Sequence, residues 1–482
     1  MIKHLFLFSF ILLGLGSINA QQENSFVSSI PIVVTNADLS TDVVLGELTI
    51  NPTIAGKVIV TFNGQCIGDG EDKIIAAASN STSWGSNEGH VLLSIHNNDQ
   101  DNRSFSHTMV YNVEAGSNTF YAIGRLWSGT GLTSFYGALT VEFVPSDQLV
   151  VEISPVSVTN IEVTDNLDID TLTINVPASG KIEVSFSGYC YSEIGTTIGL
   201  SASDVAGSLD DEYYQDVFTN GDVANNPFSQ KLVYNVDAGE HTYYAVASLL
   251  NGTNGNISVY ANLVAKFIPD DSEFNIEKVG ISSEFNVAEI TSVDSIQTTA
   301  VQDGIYVVNF CGECYSSEGD RIILAASNTH NWGSNNGNIS VEAVTNDYNG
   351  NNFSHTMAYT VSPGDYTYYA VSQAFIETGG DQQIDLYATL SAVFYPNIIT
   401  AVNNINDNVK LSLFPNPMQN QLNIAGIEGK ATVSVFSIGG KLLLSSNIVN
   451  NQSVDVSSLT KGSYLITVSS NDIKFSQMMI KE

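Results

Sequence analysis

Few residues in this chain have the type and spacing that chemistry needs. "FCGECYSSEGDR", from Phe310 to Arg321, holds a C-x-x-C in an acidic setting, the spacing of half a zinc site or of a redox pair. Asp69, Glu71 and Asp72 in "GDGEDK", with Asp99 and Asp101 in "NNDQDN", are oxygen donors of the kind calcium takes. Asp210, Asp211, Glu212 and Asp347 add further acidic loops. None of these runs has the spaced D-x-D-x-D-G pattern of a dedicated calcium loop, so a solvated acidic loop is the plain reading and calcium the sharper one. His107 and His355 recur in "FSHT", where a histidine either moves protons or satisfies neighbouring polar groups of a strand. Trp84 lies between Asn80 and Asn87, and Trp332 between Asn328 and Asn335, in two loops of nearly the same sequence. A ring flanked by amides suits a sugar, the ring stacking and the amides bonding hydroxyls; the other use of such a Trp is to cap a sheet edge.

These residues sit in a repeat. "GKVIVTFNGQC" from Gly56, "GKIEVSFSGYC" from Gly180 and "GIYVVNFCGEC" from Gly304 are one segment, 124 residues apart each time. "FSHTMVYNVEAG", "FSQKLVYNVDAG" and "FSHTMAYTVSPG" are a second, and "YGALTVEFVP", "VYANLVAKFIP" and "LYATLSAVFYP" close each copy. The expected organisation is a repeat over 21–146, a second over 147–270, a third over 271–397 and a different tail over 398–482. Short alternating runs rich in Val, Ile, Thr, Tyr and Phe, broken by Gly, Asn, Asp and Ser, predict antiparallel strands throughout. The fold class is therefore all-β: three tandem jelly-roll-like sandwiches followed by a small β-sandwich.

The period decides the C-x-x-C. Side chains alternate along a strand, so Val58, Val60, Phe62, Gly64 and Cys66 share the core face, and Cys190 and Cys314 repeat Cys66. Cys311 takes the place of Asn63 and Ser187 on the opposite face. Two cysteines three apart on a strand point to opposite sides and neither bond nor share a metal. The motif is a product of repetition.

The order of motifs in each copy resembles the complement C1q and tumour necrosis factor jelly-roll superfamily, carried by the strand pair from Thr173 to Tyr189, the "AG" turn and the closing strand before Pro. The resemblance implies ligand- and surface-binding modules that assemble by threes. A single-chain pseudo-trimer is one arrangement this allows; three beads in a row is the other.

The tail carries a second resemblance. Pro415, Asn416 and Pro417 follow an apolar strand, Gly440 ends a strand and turn, and Leu459, Gly462 and Tyr464 form an "L--G-Y" block. Together they resemble the type A C-terminal sorting domain of the type IX secretion system of Bacteroidetes. That implies passage through the outer membrane by the type IX machinery, removal of the tail, and release or attachment to surface lipopolysaccharide. The first twenty residues, with Lys3, an apolar run and Ala20, read as a signal peptide, which excludes a transmembrane anchor there.

The chain has 50 acidic against 16 basic residues, and the tail from residue 400 is nearly balanced, so the excess negative charge belongs to the repeats. Such a body repels nucleic acid and anionic lipid. No nucleophile elbow, H-E-x-x-H, P-loop or dinucleotide turn occurs, and no carboxylate pair stands out for glycoside hydrolysis. The expected function is non-enzymatic: binding or adhesion to an extracellular ligand, a polysaccharide preferred, without a cofactor unless calcium. A secreted hydrolase and a structural surface or filament component are the alternatives.

Overall fold

The computed structural model describes residues 25–68, 72–85, 89–95, 101–145, 149–209, 213–219, 225–252, 255–270, 274–316, 320–333, 337–342, 351–376, 383–396, 412–414, 418–425, 429–437, 442–450, 452–469 and 474–481. It is all-β. Residues 21–398 form one compact unit, and the tail forms another.

Repeat 1 contributes β1(Phe26–Ala37), β2(Val43–Ile50), β3(Gly56–Gly68), β4(Lys73–Ser79), β5(Val91–Ser94), β6(Asp101–Val113), β7(Asn118–Ser128) and β8(Thr133–Pro145). Repeat 2 contributes β9(Val151–Glu162), β10(Leu167–Val176), β11(Gly180–Ser192), β12(Thr196–Ser203), β13(Gln215–Thr219), β14(Asn226–Val236), β15(Gly239–Asn251) and β16(Asn256–Pro269). Repeat 3 contributes β17(Asn275–Asn286), β18(Thr291–Ala300), β19(Gly304–Ser316), β20(Asp320–Ser327), β21(Ile339–Glu342), β22(Asn351–Val361), β23(Gly364–Ile376) and β24(Gln383–Pro396). The tail contributes β25(Ser412–Phe414), β26(Gln421–Ala425), β27(Lys430–Ser437), β28(Leu442–Val449), β29(Ser453–Asp455), β30(Gly462–Ser469) and β31(Lys474–Lys481).

Each repeat pairs two four-stranded antiparallel sheets, ordered β1-β8-β3-β6 and β2-β7-β4-β5 in repeat 1 and likewise in the others. These are jelly-roll sandwiches. An edge-to-face ring pair, 4.8 Å between centroids, recurs in each core: Phe62 with Phe105, Phe186 with Phe228, Phe310 with Phe353. Gly64, Gly188 and Gly312 let the central strand approach its neighbour, since a Cβ there would lie 2.3, 2.2 and 2.3 Å from a backbone carbonyl of the closing strand. Cys66, Cys190 and Cys314 are fully buried, and all four cysteines are free. Burial pushes the Cys190 and Cys311 thiols up to about 12, so they behave as small apolar groups.

The sheet containing the central strand is buried on both faces. The inward face is apolar; the other carries Thr61, Asn63, Ser106, Thr140, Ser187, Asn262, Asn309 and Ser391, all buried. What covers that polar face is the other repeats. β6, β14 and β22 touch one another, and Phe105, Phe228 and Phe353 with their neighbours line a single narrow crevice. Apolar side chains from all three copies, among them Val27, Val233, Ile268, Val307 and Val393, make one cluster.

The contacts between copies are cyclic. Gln65 of repeat 1 accepts the Ser340 N–H of repeat 3 at 2.6 Å. Tyr189 of repeat 2 lies 5.6 Å from His90 of repeat 1, and Glu313 of repeat 3 accepts the Asp216 N–H of repeat 2 at 3.1 Å. Gln65, Tyr189 and Glu313 occupy one position of the repeat, so a head-to-tail contact closes after three copies. The chain is a cluster of three, not a row.

An ionic hub ties all three. Glu142, Lys266 and Val393 occupy one position of the closing strand. Lys266 Nζ lies 2.9 Å from Glu142 and 2.9 Å from Glu183, and bonds the Tyr395 hydroxyl at 2.7 Å. Tyr395 in turn donates to Glu142, and Lys231 stands 3.6 Å from Glu183. Burial works against charge on Lys266, but Glu142 and Glu183 outweigh it and hold its pKa well above the ordinary value. Burial likewise opposes charge on Glu183, and Lys231 and Lys266 reverse it, lowering the carboxyl from 4.5 to about 2.

Two outcomes follow. Lys266→Met leaves two carboxylates buried and is expected to cost about 3–5 kcal/mol in denaturant unfolding. Because Glu183 has its folded pKa below its unfolded one, its pairing stabilises fully above about 4.5 and is lost as pH falls toward about 2. Unfolding measured across that window should show stability falling with acid in the parent chain, with a shallower slope in Lys266→Met.

Candidate functional site

The loop after β4 begins with a rigid turn. The Ser79 hydroxyl accepts the Ser81 N–H at 3.1 Å and donates to the Ser83 carbonyl at 2.8 Å. Ser327 repeats it, accepting from Thr329 at 3.1 Å and donating to Asn331 at 2.6 Å. The turn sets Trp84 and Trp332 half-buried on the outer sheet, and Asn80 and Asn328 in the same loops are exposed. Trp84 meets His90 edge-on at 4.8 Å and Trp127 at 5.9 Å. Trp332 donates its indole N–H to Gln373 at 2.7 Å and lies 6.5 Å from Phe375. Trp127 and Phe375 occupy the same place on β7 and β23, and they are 57% and 42% exposed. Each loop Trp is thus held edge-on by an outward aromatic that the sequence reading did not single out. Its signal was present in "RLWS" and "QAFI", but a lone exposed ring near a strand end is too common to mark a site. Repeat 2 has Leu250 there. Asn87 and Asn335 lie outside the described residues.

Repeat 1 also bears a depression of about 490 Å³ lined by Thr35, Asn36, Ile67, Gly68, Leu132, Ser134 and Tyr136. Asp72 lies just beyond the end of β3. It is buried, and its Oδ1 accepts the N–H groups of Thr130 and Gly131 at 3.1 and 3.4 Å. Gly129, at φ +117, is the close neighbour, and a Cβ there would sit 1.9 Å from Oδ1. Asp72 pins the turn between β7 and β8. Of the other calcium candidates, Asp69, Glu71 and Asp99 lie outside the described residues, as does the side chain of Asp101. Among the described residues no group of three or more His, Cys, Asp or Glu side chains is placed to hold a metal.

The recurring histidines bridge the two sheets. β5 pairs with β4 only as far as Ala76, which leaves the Ala78 N–H beyond it without a strand partner. His107 Nδ1 accepts that N–H at 2.9 Å, and His355 does the same for Ala326 at 2.9 Å. In repeat 2 the Gln230 amide oxygen takes the Ala202 N–H at 2.6 Å. One structural task is met by two residue types. The accepting Nδ1 requires the tautomer protonated on Nε2.

In the tail, the strands form a three-stranded sheet β25-β26-β29 and a four-stranded sheet β28-β27-β30-β31. Tyr464 is buried in their core and donates to the Thr460 carbonyl at 2.7 Å; Leu459 packs on the same core, and Gly462 has φ +157. Pro415, Asn416, Pro417 and Gly440 lie outside the described residues.

The class is now defined: an all-β chain of three clustered jelly rolls with a small β-sandwich tail. Residues 412–482 match the family described as the secretion system C-terminal sorting domain. The tail is therefore a type IX sorting domain, which engages that machinery and takes the chain across the outer membrane to the surface or exterior. No curated protein matches the chain. Solved structures similar to it include Sulfolobus Turreted Icosahedral Virus, at 9% identity and TM-score 0.18, covering 77% of this chain and 92% of that one. Infectious bursal disease virus, Gx strain, matches at 9% identity and TM-score 0.19, covering 82% and 89%. Likenesses this distant carry no argument. No helix among the described residues is long and apolar enough to cross a membrane, which says nothing of β-barrels.

His107→Gln, which installs the residue repeat 2 already uses, should leave stability within about 1 kcal/mol of the parent, whereas His107→Leu orphans a buried N–H and should cost about 1–3 kcal/mol. Chemical denaturation of the three chains side by side checks this; equal losses in both variants would remove the bridging role.

Proposed function

We propose that this exported chain is a non-enzymatic binding or adhesion protein of the cell surface or exterior that takes extracellular polysaccharide on the outer sheets of repeats 1 and 3. The observation that carries the reading is the paired aromatics, Trp84 with Trp127 and Trp332 with Phe375, in loops where Asn80 and Asn328 are exposed. An exposed ring offers a sugar face a stacking surface, and the amides offer its hydroxyls directional bonds. The resemblance to C1q and tumour necrosis factor modules supports a ligand-binding role. Two sites on one rigid body gain avidity on a repeating polymer without extra contacts. Removal of the tail and attachment to lipopolysaccharide belong to the same proposal.

The test is a screen of the full secreted chain against immobilised polysaccharides and a glycan array, in salt high enough to screen its charge. Trp127→Ala alone should weaken binding to a polymer by about 100-fold or more through lost avidity, and Trp127→Ala with Phe375→Ala should abolish it. Unaltered binding in the double variant would move the site elsewhere, and binding to no carbohydrate would sink the polysaccharide reading.

A further inference from the structure

The seam between repeats 2 and 3 holds two carboxylates to which the fold gives no countercharge. Asp216 is on β13; Glu313 and Tyr315 are on β19; Asn352, on β22, is the direct cross-strand partner of Glu313. Glu313 is 1% exposed. Each donor nearby is spent holding one oxygen: the Asp216 N–H on Glu313 Oε2 at 3.1 Å, and the Tyr315 hydroxyl on Asp216 Oδ2 at 2.7 Å. The Asn352 amide donates to the carbonyls of Asp216 and Pro227 at 2.9 and 3.4 Å. What remains is Glu313 Oε1, Asp216 Oδ1 and Asn352 Oδ1, three buried acceptors without a partner. Among the described residues no Lys or Arg forms an ion pair with Glu313 or Asp216. The other two seams have Gln65 and Tyr189 at the Glu313 position, so the charge is peculiar to this one.

Two anions buried side by side cost several kcal/mol each unless a positive charge joins them. One proton serves at most a pair of the orphaned oxygens. A hard divalent cation takes oxygen donors of this kind, and each carboxylate is already oriented by a hydrogen bond to its other oxygen, as metal-ligating carboxylates commonly are. We propose that Glu313, Asp216 and Asn352 bind one divalent cation of the calcium and magnesium class in this seam, with Tyr315 and the Asp216 N–H as positioning groups. The ion clamps repeat 3 onto repeat 2. This site is independent of the surface reading above and of the acidic loops.

The experiment uses the full secreted chain, freed of metal by chelator and titrated with calcium chloride and magnesium chloride in a calorimeter, with thermal unfolding followed in parallel. The expected result is one strong site above any weak surface binding, and an unfolding temperature that rises as it fills. Glu313→Gln should weaken that site by about 10–100-fold and cancel the rise, while Asp99→Asn with Asp101→Asn leaves both. Should Glu313→Gln fail to fold, Asn352→Asp supplies the second arm: an added anionic ligand is expected to tighten binding. Equal affinity in parent and Glu313→Gln overturns the proposal. So does a parent chain indifferent to both cations whose stability falls as pH rises, since Glu313 then holds a proton instead.

Discussion

The structure depends on one constraint: in each sandwich the sheet built on the central strand is buried twice. A jelly roll alone would hide one face of that sheet and wet the other. Here the second face is covered by neighbouring copies, although it carries Thr, Ser, Asn and Gln in place of Leu and Ile. Backbone groups in the sheet are satisfied by their ladders, so the cost falls on side-chain polar atoms, which must find partners across the seams. Ser354 N–H to the Ser104 hydroxyl at 3.2 Å and Asn63 to the Ser354 carbonyl at 3.5 Å are such partners. The apolar clusters around Val307 and around Val264 supply the burial that the polar contacts do not.

Fusion in one chain is what makes the hub possible. Three identical copies would bring three equal charges to the closing-strand position, and like charges in a dry interior repel. With Glu142, Lys266 and Val393 in that place, one position supplies an acid, a base and a spacer. Such a hub is a weak source of net stability, because desolvation offsets much of its attraction. Its stronger effect is on order: exchanging repeats 1 and 2 would move Lys266 of repeat 2 away from Tyr395 of repeat 3.

Strand type, repeat length and the core face were legible because period two and a 124-residue recurrence are local properties of the chain. The C-x-x-C resolved on the same argument, with Cys314 in the core and Cys311 opposite. The cluster was only half legible. Counting acids across the repeats suggests that copies should repel, yet Glu142, Glu183 and Glu313 are buried in the seams, two of them paired with Lys266. Glu142 and Lys266 stand 124 residues apart, and no local pattern announces that they meet. Trp84 and Trp332 were readable as candidates from their loops; Trp127 and Phe375 were not, because their partnership is made by the fold. His107 was legible as a choice between proton transfer and polar satisfaction, and the Ala78 N–H that it accepts beyond the end of β5 decides it.

The two sheets of each repeat have therefore divided their tasks, and the division limits where function can lie. Inner sheets are committed to assembly: any residue change there must suit a neighbour as well as a core. Outer sheets enter the seams only along their edge strands β5, β13 and β21, and on their strands β7 and β23 repeats 1 and 3 carry Trp127 and Phe375 where repeat 2 has Leu250. Repeat 2, with Leu250 at the place of Trp127 and Phe375, supplies Lys266, Glu183 and Lys231 from its inner sheet and Asp216 from the outer-sheet edge strand β13 to the seams. Repeats 1 and 3 supply fewer seam charges and keep the outward rings. One copy has specialised toward holding the cluster and two toward presenting a surface, which a chain of independent beads would have had no physical reason to do.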